Sequence, residues 1–148
     1  VKDLLPPDGV LVGIWSGGAW LAQRLHADLG LPGECGLISS TLHRDDFGSR
    51  GLASGTDATN LPFSIDGSHI VLIDDVLFTG RTIRAALNQI PDYGRPRAVR
   101  LAVLIDRGGR ELPVCARWVG QVLPVDAASN LQLERSDDGR LSLRLTDA

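Results

Sequence analysis

The sequence predicts an α/β protein: a mostly parallel sheet with helices on both faces, plus a small C-terminal hairpin or hood. Three observations predict it. Apolar, β-prone runs at residues 10–14, 69–74 and 98–106 lack the alternation of a half-wetted strand, so both of their faces are buried. Between these runs, apolar residues recur at helical spacing: Leu21, Leu25 and Leu29, then Ile83, Leu87 and Ile90. Chemically suggestive residues collect just after the strands, and open parallel sheets bind ligands beyond their C-terminal strand ends.

Each element has its own signal. Residues 10–14 (VLVGI) read as the first buried strand, and 19–29 as a helix. Pro32 lies in a loop over 30–36, and residues 37–42 read as a second strand. Residues 44–63 are rich in Gly, Ser, Asp and Asn with little periodicity, and so long a loop in a compact domain is functional as a rule. Residues 69–74 form the third strand, and the helix after it stops near Pro91. Residues 98–106 form the fourth strand and 117–120 a short edge strand. Residues 131–134 and 141–145 alternate around Asp138-Gly139, a hairpin signal. Four loops then fall on one rim: 15–18, 43–46, 74–82 and 106–110.

Composition narrows the function classes. The 148 residues make one ordinary domain, 1–148. A chain of that size buries roughly 70% of its unfolded surface and needs no disulfide or metal staple. No apolar run is long enough for a membrane-spanning helix. Cys35 and Cys115 form no CxxC motif, and two buried, reduced cysteines in a cytoplasmic protein are expected. The three histidines follow no metal spacing, so no protein-held metal is expected. A net charge of −3 gives no general attraction to nucleic acid. The basic residues are nevertheless fourteen arginines and one lysine. Arginine favours bidentate phosphate contacts, though a GC-rich coding sequence gives the same excess.

Residues 71–82, VLIDDVLFTGRT, carry the chemistry. A buried strand ends in two carboxylates, Asp74 and Asp75. A loop with Thr79, Gly80, Arg81 and Thr82 then opens a helix. The free amides and dipole of a helix N-terminus suit phosphate. Carboxylates repel phosphate but accept hydrogen bonds from hydroxyls. A phosphate cradle beside a hydroxyl-binding pair suits a phosphorylated sugar.

The stretch resembles the phosphoribosyl pyrophosphate (PRPP) signature of type I phosphoribosyltransferases. Together with residues 12–25 (VGIWSGGAWLAQRL), 40–47 (STLHRDDF) and 107–120 (RGGRELPVCARWVG), it makes the chain similar to the PyrR family. That resemblance implies the type I phosphoribosyltransferase fold, with an N-terminal helix truncated here. It implies transfer of phosphoribose from PRPP to uracil, giving UMP, with Mg²⁺ bound through PRPP. It also implies nucleotide-dependent regulation of pyrimidine biosynthesis through pyr-operon leader RNA, in a cytoplasmic homodimer or higher oligomer. By resemblance Asp74 and Asp75 bind the ribose hydroxyls. Thr79, Gly80, Arg81 and Thr82 hold the 5′-phosphate, and Val76, Leu77 and Phe78 belong to the same PRPP-binding stretch. Ser16, Gly17 and Gly18 meet pyrophosphate, as does Arg44 from a loop that closes over the site. Asp74, Asp75 and Arg44 are the catalytic set, and Arg110 with the backbone near Val119 reads the base. Phe78 stands where purine enzymes place an aspartate, which points to a pyrimidine.

Trp15, Gln121 and Val122 depart from the family pattern, where basic residues and an asparagine are typical. The departures keep two alternatives open: a PRPP- or UMP-sensing regulator without turnover, and a transferase for another base. Trp15, Trp20 and Trp118 are expected in the core or at an interface, and Arg95, Arg97 and Arg100 as surface charge.

Overall fold

The computed structural model describes residues 9–39 and 59–147. One five-stranded parallel sheet has the order β2-β1-β3-β4-β5. Its strands are β1 (Gly9–Ile14), β2 (Gly36–Ile38), β3 (His69–Leu77), β4 (Ala98–Asp106) and β5 (Trp118–Val122). Helix α1 (Gly17–Asp28) follows β1, and α2 (Arg81–Gln89) follows β3 and ends in a 3₁₀ turn over Ile90–Asp92. A separate antiparallel hairpin joins β6 (Ser129–Arg135) to β7 (Leu141–Asp147).

The two helices cover opposite faces. Leu21, Ala22 and Leu25 of α1 pack on Leu11, Val71, Ile73 and Ala102. Ile83 and Ala86 of α2 pack on Val12, Ile70, Leu72, Leu101 and Val103. The central strand is therefore dry on both sides, which is why Ile70–Ile73 reads as one apolar run. Each large aliphatic buried this way contributes about 1.5–3 kcal/mol.

Several boundaries differ from the sequence expectation. β3 runs three residues past Asp74, because pairing with β4 continues at Val76↔Ile105 and Leu77↔Asp106. Register here overrides the poor β-propensity of aspartate. α1 starts at Gly17, two residues early, since the chain turns directly from β1 into the helix. The second strand is described as Gly36–Ile38, and residues 40–42 of its expected span lie outside the described residues. Of the long expected loop, 59–63 is described: Asn60 bridges Leu37, and Leu61 and Phe63 pack on the core. Both cysteines are free, yet Cys115 is exposed and Cys35 is partly buried, contrary to the expected burial. Val114 and Ala116 turn inward along the segment before β5, which sends Cys115 outward. All three tryptophans are partly buried, and Trp118 packs on the α1 face.

Candidate active site

Three of the four expected loops are described, and they meet at the C-terminal ends of β1, β3 and β4. The fourth, with Arg44, lies outside the described residues, as does Arg50.

The β3–α2 turn is braced from below. Phe78, Thr79 and Gly80 bend the chain, and Gly80 sits at φ +95° as the residue before α2. A side chain there would be strained, and its Cβ would lie 3.1 Å from Val114 Cγ2. Thr79 Oγ1 accepts from the Arg81 amide at 3.2 Å, and the Thr79 carbonyl accepts from the amides of Glu111 and Leu112 at 2.9 and 3.0 Å. The Arg81 guanidinium meets Glu111 at 2.7 Å on the surface, a contact of small energetic weight. Helix α2 begins here, so its unpaired first-turn amides face the same rim.

The two aspartates occupy unlike environments. Asp74 is 6% exposed on the α2 face of β3. Its Oδ1 accepts the Asp75 amide at 2.8 Å. Burial, and then the adjoining Asp75 charge, push its carboxyl well above the usual range. Asp75 is partly exposed on the α1 face, with Oδ1 accepting the Val76 amide at 2.8 Å. Its carboxylate lies directly against Gly17, so that a Cβ there would collide with it. A Cβ on Gly18 would likewise run into the Ile73 carbonyl and reach 2.9 Å from Asp74 Cα. The two glycines let α1 begin in contact with the acidic pair. Trp15–Ser16 is a cis peptide, Ser16 is exposed, and the Trp15 amide donates to the Ile38 carbonyl at 2.9 Å.

The β4–β5 segment frames the other side. Arg110 donates from Nε to the Val114 carbonyl (3.0 Å), from one terminal nitrogen to the Phe78 carbonyl (2.9 Å), and from the other to Asp106 (2.6 Å). That hydrogen bond holds the Asp106 carboxyl below its ordinary value. Arg110 thus ties the phosphate turn to this segment. Val119 on β5 pairs with Val103, which pairs with Asp74. It sits level with the acidic pair, two strands or about 10 Å away. Sequence reasoning passed over Arg107. It is 5% exposed, stacks on the Phe78 ring at 3.9 Å and donates to the Asp126 carbonyl at 2.8 Å. The available signal was an arginine directly after a buried strand and before two glycines.

Among the described residues no group of three or more His, Cys, Asp or Glu is placed to hold a metal. What is present is a rim with amides on two helix starts, a partly exposed carboxylate between them and a buried partner carboxyl. That donor set suits a sugar phosphate.

Comparisons with known proteins agree with this geometry. A family model described as "Phosphoribosyl transferase domain" matches residues 6–130. The "Bifunctional protein PyrR" of Ralstonia nicotianae is 49% identical over 132 residues, covering 89% of this chain and 75% of that protein. One of the same name from a Geobacter species is 46% identical over 135 residues, covering 88% and 76%. Among solved structures, a hypoxanthine phosphoribosyltransferase of Staphylococcus aureus aligns with a TM-score of 0.61 at 21% identity, covering 86% of this chain and 68% of that one. A hypoxanthine-guanine phosphoribosyltransferase of Bacillus anthracis aligns at 0.64 and 17% identity, covering 83% and 72%. Identities that low carry the fold alone. The matched family model, the 46–49% identity to these relatives and the acidic-pair rim together show that the chain belongs to the PyrR family of phosphoribosyltransferases.

Proposed function

We propose that the chain transfers the phosphoribosyl group of PRPP to uracil, releasing diphosphate and UMP. We also propose that UMP in the same pocket controls binding to pyrimidine-operon leader RNA. The observation that carries this reading is the position of Asp75, partly exposed between the glycines of α1 and the phosphate turn of α2. The bond from the anomeric carbon to diphosphate breaks, a bond to the uracil nitrogen forms, and that nitrogen's proton leaves to solvent. The chain's part is orientation and charge. Thr79, Gly80, Arg81 and Thr82 hold the 5′-phosphate, Asp75 with Asp74 takes the ribose hydroxyls, and Ser16, Gly17 and Gly18 face the diphosphate. Mg²⁺ neutralises charge on the diphosphate when PRPP brings it. Arg110 acts by positioning, since its guanidinium already donates to four protein oxygens, those of Leu77, Phe78, Asp106 and Val114. Phe78 favours a pyrimidine, because it has no proton to exchange with a purine ring.

Regulation through RNA is supported by the relatives' name and by arginines left free. Among the described residues Arg84, Arg95, Arg97, Arg100 and Arg117 form no ion pair. A homodimer or higher oligomer would bring two such surfaces together. No helix of the described residues is long and apolar enough to cross a membrane, and a cytoplasmic place follows from this reading. The absence of a cation at Trp15 favours a second reading, a nucleotide-sensing regulator without turnover. One assay separates them: UMP formation from uracil and PRPP with Mg²⁺, with orotate and hypoxanthine as controls, beside UMP binding by calorimetry. Turnover with uracil alone is expected. UMP binding without turnover selects the sensor, and preference for hypoxanthine ends the pyrimidine assignment.

A further inference from the structure

We infer that Arg135, presented by the C-terminal hairpin to the first turn of α1, binds the diphosphate of PRPP. The inference rests on the PRPP reading above. The placement of β6 points to it. Leu131 and Leu133 lie opposite Leu145 and Leu143, and this face is docked at Leu133, which is 7% exposed, while Leu143 and Leu145 stay 41% and 61% exposed. Two residues further on, the same face presents Arg135, opposite Leu141. Arg135 is exposed there, at the edge of the docked contact, so its guanidinium is open to a ligand.

The hairpin is placed for this role. β6 packs against β3 and α1, and the Arg135 guanidinium carbon lies 4.9 Å from the centre of the Trp20 ring. Trp20 is in the first turn of α1, its amide donating to the Ser16 carbonyl at 3.2 Å. A helix rises about 1.5 Å per residue and its side chains lean toward its N-terminus. The ring therefore leads Arg135 back toward Ser16, Gly17 and Gly18.

The site also needs a cation here. Residues 15–18 supply amides and no positive side chain, while the Asp75 carboxylate beside Gly17 repels an incoming diphosphate. Of the other arginines, Arg81 belongs to the phosphate turn, Arg110 is bonded to Asp106, and Arg24 lies at the far end of α1 against Asp28. Among the described residues Arg135 has its stacking contact and no ion pair. A guanidinium stacked on a ring keeps its edge donors free for phosphate oxygens. Glu134, next to it, points to the other face and meets Arg144.

Calorimetry with Mg²⁺ on the wild type, Arg135→Ala, Arg135→Gln and Arg135→Lys tests this, using PRPP, inorganic pyrophosphate and UMP as ligands. Arg135→Gln keeps the stem over Trp20, and melting curves confirm that each variant is folded. PRPP and pyrophosphate should bind about tenfold or more weakly to Arg135→Ala and Arg135→Gln. Lysine should recover part of the loss, and UMP, which lacks the diphosphate, should bind all forms alike. Equal PRPP and pyrophosphate affinities in folded variants overturn the inference and leave Arg135 as a cover for Trp20. An equal loss for UMP also overturns it, because the effect then lies in the shape of the site. A wild type that binds neither PRPP nor UMP removes the nucleotide reading itself, and the inference with it.

Discussion

The two turns that meet at the rim are built in opposite ways. The β3–α2 turn is cross-bonded: Thr79 and Phe78 carbonyls accept hydrogen bonds from Glu111, Leu112 and Arg110. The β1–α1 turn depends on missing atoms: Gly17 leaves room for the Asp75 carboxylate, and Gly18 for the backbone of Ile73 and Asp74. The first turn fails when a partner is removed. The second fails when a methyl group is added.

The largest expected effect tests the second turn and separates two adjacent glycines. Gly18→Ala meets backbone that cannot rotate away, so α1 must lift from β3, at about 2–3 kcal/mol in unfolding free energy. Gly17→Ala meets a side chain that can turn, so the fold should hold to within about 1 kcal/mol. The displaced Asp75 should instead lose its ribose contact and weaken UMP binding about tenfold. Denaturant melts and UMP titrations of both variants check this. Equal stabilities would show that α1 adapts and that contact does not govern this turn.

Next comes the braced turn. Arg110→Ala removes donors from Phe78, Val114 and Asp106 together and should cost about 1–2 kcal/mol. The pH dependence has a definite sign. The Asp106 carboxyl lies below 3.8 in the folded chain. The stability it lends is complete above its unfolded value and fades as pH falls toward the folded value. The variant should therefore lose less stability than the wild type between about pH 5 and pH 3. Parallel acid limbs would remove the Arg110–Asp106 bond from the brace.

The smallest effect concerns Asp74. Its carboxyl is raised well above 3.8, so the folded chain binds the proton more tightly than the unfolded chain. Stability is complete below the unfolded value and is lost as pH rises through the folded one. Asp74→Asn should flatten that decline and leave the variant as stable as the wild type, or up to about 1 kcal/mol more so, at neutral pH. Melts from pH 4 to pH 8 decide it, and a steeper decline in the variant would contradict the assignment.

The braced turn was the legible half. Buried strand, acid pair, threonine and glycine follow one another in sequence, so periodicity and helix-start chemistry suffice to place them. The packed half was not, because Gly17 meets Asp75 from the neighbouring strand β3, distant in sequence, and no local pattern encodes that contact. Arg110 was singled out from its motif alone, and its protein acceptors at 78, 106 and 114 come together only through the fold. The end of β3 was misplaced for a similar reason: pairing with β4 carries it past residues that locally disfavour a strand. Arg135 drew no attention in the sequence, and only the hairpin's position over α1, with its guanidinium over the Trp20 ring, singles it out.

The doubly bonded carbonyl of Thr79 has a mechanical consequence. It joins the turn at residues 78–80 to the segment at 110–114 as one rigid jaw. Under the proposed function, the two ends of a nucleotide would be gripped by a caliper of fixed opening. A ligand with its phosphate and base set further apart, or joined by a floppy acyclic linker, must do all the adjusting itself. On that reading, selectivity by length would come before any edge of the base is read.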